Sequence, residues 1–200
     1  MEFKIVDFKN VKVAIEVQKS IFLGEDGTIN LLASLDRDLF MKKTGVFYIN
    51  DNVKYYLAYY NENPIGITGI YCYSDLYPND AWLGWYGVKE GYRNKGYGKE
   101  LLTWTINKAR EMGYKHIRLY TDENENKEAI NLYEKMGFAG EKYLGEELLY
   151  SCYIYSKSLT SDPLEPWDNK IINLGYQHEL DHFDDNGIKE ILNKYKEEIT

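Results

Sequence analysis

The chain has 200 residues, 16% of them aromatic, including 20 tyrosines, and a formal net charge of -8. So many aromatic residues exclude a disordered chain and call for a packed core. At 23.5 kDa the chain can bury that core without disulfide or metal staples.

In chain order, Phe3 to Val6 reads as a short strand, and Val11 to Phe22 and Ile29 to Met41 read as helices separated by the turn Glu25-Asp26-Gly27. Val53 to Tyr60 and Ile65 to Tyr73 are strands, with Asn61-Glu62-Asn63-Pro64 as a hairpin signal between them. Ala81 to Val88 is a further, aromatic-rich strand. In the helix from Gly98 to Met112, Leu102, Ile106 and Ala109 recur at helical spacing, and Gly113 suits the C-cap. His116 to Thr121 alternates as a strand. Ala129, Leu132, Tyr133 and Met136 share one face of the next helix, which Gly137 ends. Leu148 to Ser156 is the last strand. Helices separate some strands and hairpins join others, so the expected fold is α+β or α/β with a mixed central sheet.

Residues 161 to 200 hold 4 Lys against 10 Asp or Glu, and the run Ser161-Asp162-Pro163-Leu164-Glu165-Pro166 breaks regular structure. The expected organisation is therefore one domain over residues 1–160 and an acidic C-terminal extension over 161–200. In the extension, Ile188, Ile191, Leu192, Tyr195 and Ile199 recur as an amphipathic helix capped by Asn186. That helix packs either on its own domain or on a second subunit, which leaves monomer and homodimer open. Trp167 is a candidate anchor for the connecting segment. An acidic surface repels phosphate backbones, so nucleic acid is not an expected partner. No apolar run nears the ~20 residues that cross a bilayer, so no membrane partner is expected. The start, MEFKIVDFKN, lacks a basic stretch followed by an apolar one, and a cytoplasmic protein is expected. Cys72 and Cys152, in strand-like apolar surroundings, are expected as buried free thiols.

The chemistry concentrates between Trp82 and Phe138. The strand Trp82-Leu83-Gly84-Trp85-Tyr86-Gly87-Val88 runs through Lys89-Glu90-Gly91-Tyr92 into Arg93-Asn94-Lys95-Gly96-Tyr97-Gly98 and a helix. Two glycines opening a helix let a ligand approach the free N–H groups of the first turn, where the helix dipole adds positive charge. Arg93, Lys95 and Lys99 add cations, so the loop suits a phosphate or pyrophosphate. A Walker A loop fails because Glu100 follows Gly98-Lys99. A Rossmann fingerprint fails because Leu101 stands where a third small residue belongs and several elements precede the loop.

The remaining pattern, Arg/Gln-x-x-Gly-x-Gly/Ala after a strand, resembles the GCN5-related N-acetyltransferase (GNAT) family. Asn126-Lys127-Glu128-Ala129-Ile130-Asn131-Leu132-Tyr133-Glu134-Lys135-Met136-Gly137-Phe138 is similar to the family's Asn-x-x-Ala-x-x-Leu-Tyr-Glu-Lys-x-Gly-Phe helix, and the strand at 116–121 lies between the two motifs. Glu90 stands where many members carry proline. The resemblance implies the GNAT acyl-CoA N-acyltransferase fold and acetyl transfer from acetyl-CoA to a primary amine of a small molecule or peptide, with no metal. It implies that strands four and five splay apart, with the pantetheine arm along the edge formed by Trp85, Tyr86, Gly87 and Val88. It implies that Arg93, Asn94, Lys95, Gly96, Tyr97, Gly98 and Lys99 hold the pyrophosphate, that Asn126 contacts the cofactor arm, and that Tyr133 is the general acid.

Glu25, in the loop bordering the acceptor cleft of this fold, is a candidate base, with Glu141, Glu146 and Glu147 weaker. Trp85, Tyr71 and Tyr73 are candidate cleft residues. The alternatives are a non-catalytic acyl-CoA-binding sensor and, more remotely, a zinc hydrolase using His178-Glu179-Leu180-Asp181-His182 in the tail.

Overall fold

The computed structural model describes residues 1–44, 51–74, 76–122, 127–143, 152–168, 190 and 193. Asn126, Glu146, Glu147, His178 and His182, the start of the predicted last strand and most of the predicted tail helix lie outside the described residues.

Seven strands form one sheet among the described residues: β1 (Glu2–Ile5), β2 (Asp51–Tyr60), β3 (Asn63–Tyr73), β4 (Tyr77–Val88), β5 (His116–Asp122), β6 (Ala139–Tyr143) and β7 (Cys152–Ser158). Their order is β1-β2-β3-β4-β5-β7-β6. β4 and β5 run parallel; the other neighbours run antiparallel. The sheet is therefore mixed, as the alternation of hairpins and helices requires. The helices are α1 (Val11–Ile21), α2 (Thr28–Ala33), α3 (Arg37–Thr44), α4 (Tyr97–Glu111) and α5 (Lys127–Lys135).

The helix expected over Ile29 to Met41 is two helices. The Ser34 hydroxyl donates to the Leu31 carbonyl at 2.8 Å, and the Asp36 carboxylate accepts the Leu39 N–H at 3.0 Å. Asp36 thus caps a new helix, a role that competes with continuing the old one. β6 is a strand that the sequence reading did not pick out.

Alternate strand residues face opposite sides of the sheet, and each side has its own core. Ile67, Tyr71 and Trp82 pack with α1 and α2; Ile70, Cys72, Ala81 and Leu83 pack with α4 and with Tyr133 of α5. Cys72 and Cys152 are buried and free. The first core continues past the proline-rich break into Trp167, which is 1% exposed. Its ring meets Trp82 at 5.1 Å and Tyr77 at 4.6 Å, edge-on in both cases. The Glu141 carboxylate of β6 accepts the Trp167 and Asp168 N–H groups at 2.7 and 3.1 Å. Below the ring lies a buried charge cluster. Arg118 pairs with Asp80 at 3.0 Å, His116 Nδ1 meets the other Asp80 oxygen at 2.9 Å, and the guanidinium lies 5.1 Å from the Trp167 ring. No described helix is long and apolar enough to cross a membrane.

Candidate active site

The site grows from an irregularity in β4. Along β3, Ile67 pairs with Gly87 and Gly69 with Gly84, so two steps on β3 face three on β4. One extra residue is a β-bulge. Side-chain directions agree. A Cβ on Gly84 would meet Tyr55 and Tyr71, and Trp85 packs on Phe22, so two successive residues face the α1 and α2 side. Tyr86 then turns to the α4 side, and Gly87 turns back to face Ile21 and Phe22. Trp85 has φ +31°, a left-handed value that costs free energy for any residue but glycine.

The bulge coincides with a parting of strands. β4 pairs with β5 only from Asp80 to Trp82, against His116 to Arg118. Beyond Trp82, no described strand pairs with that edge of β4, although β4 continues to Val88 and β5 to Asp122. Residues 83–88 therefore present backbone donors and acceptors to a wedge between the two strands. The Tyr86 hydroxyl donates to the Gly98 carbonyl at 2.7 Å, tying β4 to the first turn of α4.

At the mouth of the wedge, β4 passes through a 3-10 turn at Glu90–Tyr92 into α4. Arg93 Nε donates to the Val88 carbonyl at 3.1 Å, and Lys95 Nζ to the Gly91 carbonyl at 2.9 Å. Asn94 (φ +60°) and Gly96 (φ +85°) are both left-handed. Gly96 is the N-cap and carries no side chain to satisfy the first turn. The Glu100 N–H bonds the Gly96 carbonyl, which leaves the N–H groups of Tyr97, Gly98 and Lys99 ahead of the helical ladder. Arg93, Asn94, Lys95 and Lys99 are exposed around them. Tyr97 leans on Tyr60 at 5.1 Å and Tyr92 at 6.2 Å. The loop is thus an anion cradle with exposed cations at its rim. Gly96→Ala must hold an alanine at φ +85°, which costs roughly 1–2 kcal/mol. The expected result is that loss in a denaturant melt.

Tyr133, on α5, stands on the far side of the wedge. Its ring lies 6.1 Å from Tyr86, 5.9 Å from Phe138 and 6.0 Å from Tyr155. It is 6% exposed, and burial pushes its phenol well above the ordinary value. Burial does the same to Tyr86, with Tyr133 adding to the effect. A phenol so placed is neutral and able to donate.

The other predicted residues lie on the opposite face. Trp85 Nε1 donates to Asn30 Oδ1 at 2.8 Å. Glu25 is exposed in the α1–α2 turn, two residues before Gly27, whose Cβ would stand 2.6 Å from Trp85 Nε1. Its neighbour Asp26 is pushed up by burial, but hydrogen bonds from Thr28 and the Lys19 ammonium hold it below the ordinary carboxylate value. Tyr71 and Tyr73 are 6% and 5% exposed and pack edge-on at 5.7 Å, so they form the floor under this face. Glu141 spends its carboxylate on backbone N–H groups. Asn30, which fixes the Trp85 indole, escaped the sequence reading because nothing local to residues 28–33 signals a partner 55 residues away.

The sheet is thus mixed and parts at a bulged strand, with an anion cradle at the mouth of the gap. Residues 27–138 match the model of the acetyltransferase (GNAT) family, and the chain belongs to that family. Among solved structures, an acetyltransferase of the GNAT family from Staphylococcus aureus Mu50 is 26% identical, with 80% of this chain and 100% of that one covered at a TM-score of 0.55. A GNAT-family protein from Desulfovibrio desulfuricans shares the fold at 16% identity, covering 80% and 99% of the two chains with a TM-score of 0.62. The ribosomal-protein-S18-alanine N-acetyltransferase from Escherichia coli shares it at 15% identity, covering 81% and 97% with a TM-score of 0.55. A search of curated proteins gave no match.

Proposed function

We propose that the protein transfers an acetyl group from acetyl-CoA to a primary amine of a small molecule or a peptide, by direct attack in a ternary complex. The observation that supports this reading is that the unpaired edge of β4 runs to the N–H groups opening α4, with the Tyr133 ring 6.1 Å from the Tyr86 ring of that edge. When bound, acetyl-CoA supplies the activated acetyl group and a thiolate leaving group.

The chain's own residues divide the work. The N–H groups of Tyr97, Gly98 and Lys99, with Arg93, Asn94, Lys95 and Gly96 around them, hold the pyrophosphate. Backbone groups of Tyr86, Gly87 and Val88 pair with the pantetheine arm, as an added strand would. Asn126 contacts the same arm. A backbone N–H at the bulge faces the thioester carbonyl and polarises it. Tyr133 holds a proton for the departing sulfur; a thiol has pKa ~8.5, far below a buried phenol, so the proton is shared or lent and then restored from water. Glu25, at the lip of the opposite face, takes the proton of the acceptor amine. Trp85 lines the acceptor side above Tyr71 and Tyr73. No step requires a metal. The reading places the protein in the cytoplasm, as a monomer or a homodimer.

The test is thiol release from acetyl-CoA across amino acids, polyamines, aminoglycosides and peptide N-termini. Amine-dependent release with a matching acetylated product is expected for at least one class. Tight coenzyme A binding with no turnover of any amine would instead make the protein an acyl-CoA sensor.

A further inference from the structure

The β4 bulge has to be held in place, because its Trp85 backbone is in a left-handed conformation that a strand residue leaves unless its surroundings forbid it. Two ties hold it, one on each face of the sheet. On the α4 side, the Tyr86 hydroxyl bonds the Gly98 carbonyl at 2.7 Å. On the other side, the Trp85 indole N–H donates to Asn30 Oδ1 at 2.8 Å. Asn30 is 9% exposed and sits in α2, all six residues of which are buried. The indole is wedged as well as bonded. Phe22 meets it edge-on at 5.0 Å, and Gly27 leaves the slot it needs, since a Cβ there would lie 2.6 Å from Nε1 and 2.8 Å from Cε2. The helix pair on the acceptor side therefore grips the strand that carries the reacting carbonyl's partner.

We infer that Asn30 is a positioning residue for acetyl transfer. Through the Trp85 indole, it fixes the direction of the bulge N–H that faces the thioester carbonyl. This rests on the acetyl-CoA reading given above. Without the tie, Trp85 relaxes toward ordinary strand geometry, and rotation about its φ swings the adjoining peptide groups. Misplacement of such a donor by about 1 Å is enough to lose most of its effect. The pyrophosphate cradle at Gly96 and Gly98 is not part of this tie, so the nucleotide half of the ligand keeps its grip.

A comparison of two ligands reads the tie directly, because acetyl-CoA has the carbonyl and coenzyme A lacks it. Calorimetric Kd values for both are measured on the wild type, Asn30→Leu, Trp85→Phe and the double variant. The wild type is expected to prefer acetyl-CoA about tenfold, the size of one charge-free hydrogen bond in a dry site. Each single variant is expected to bring that preference close to one while the Kd for coenzyme A stays within about twofold, and the double variant to match either single one. A wild-type preference of one, or a preference retained in a folded variant, overturns the inference alone. Failure of the wild type to bind either ligand overturns the acetyl-CoA reading and the inference together. If Asn30→Leu does not fold, Trp85→Phe, which puts a smaller aromatic ring in the slot and removes the indole donor, decides the matter.

Discussion

Tyr133→Phe is expected to lower kcat for acetyl transfer by about 100-fold or more, the usual worth of a positioned general acid, while the Kd for acetyl-CoA stays within about twofold. The change deletes one oxygen and keeps the ring that packs on Tyr86, Phe138 and Tyr155, so the fold is retained. The pH dependence separates the hydroxyl's chemistry from its bulk. Burial raises the Tyr133 phenol well above its ordinary value of 10.0. A raised folded-state pKa means that the neutral form is the one the fold favours. That stability is fully present below the unfolded value near 10 and is lost as pH rises through the higher folded value. The donor is therefore intact across the neutral and alkaline range, and kcat should show no fall near pH 10 of the kind an exposed tyrosine acid would produce. Rates measured from pH 7 to 10, with a tyrosinate absorbance titration alongside, check both statements. Equal kcat for the wild type and the phenylalanine variant would return Tyr133 to a packing role.

Local rules read well where the chain obeyed them. The helix that became α4 was legible from Leu102, Ile106 and Ala109, and its opening from the paired glycines, because both signals lie within a few residues of each other. The bulge was not legible. In Trp82-Leu83-Gly84-Trp85-Tyr86-Gly87, nearly every side chain suits a buried strand, so no polar residue marks where the two-residue period slips. Only pairing with β3 reveals that Gly84 and Trp85 face the same way. The break between α2 and α3 had a local cause, Asp36 as a cap, but the apolar positions on either side kept helical spacing and outweighed it. Tyr71 and Tyr73 show the opposite limit. Composition cannot tell a cleft aromatic from a floor aromatic, since both need the same residue; burial at 6% and 5% follows from the layers above them. The charge cluster of Asp80, His116 and Arg118 was invisible for a third reason: it joins three strands and the segment after β7, and no window of sequence contains it.

That segment carries the second large effect. Trp167→Ala is expected to cost about 3–5 kcal/mol, the range for removing a large buried aromatic, against a total stability of about 5–15 kcal/mol for a domain. The loss exceeds that of an isolated ring because the tryptophan caps a buried cation. Arg118 is fully buried; it pairs with Asp80, donates to Ser156 at 2.8 Å and to the Glu165 carbonyl at 3.1 Å, and has the Trp167 ring over its guanidinium. Ending the chain after Thr160 would remove the ring and the Glu165 carbonyl together and strip the Glu141 carboxylate of two backbone donors. Arg118 would keep Asp80 and Ser156 but lose a carbonyl partner and the ring that covers it, and a buried charge short of a partner is costly. A chain ending after Asp168 keeps every one of these contacts. The two truncations should therefore separate sharply in a thermal melt: the longer should keep a cooperative transition, and the shorter should melt far below it or without one. A shorter chain that melted with the full one would mean that Trp167 rests on the core without contributing to it, and that the proline-rich run at 161–166 marks the end of the folded unit after all.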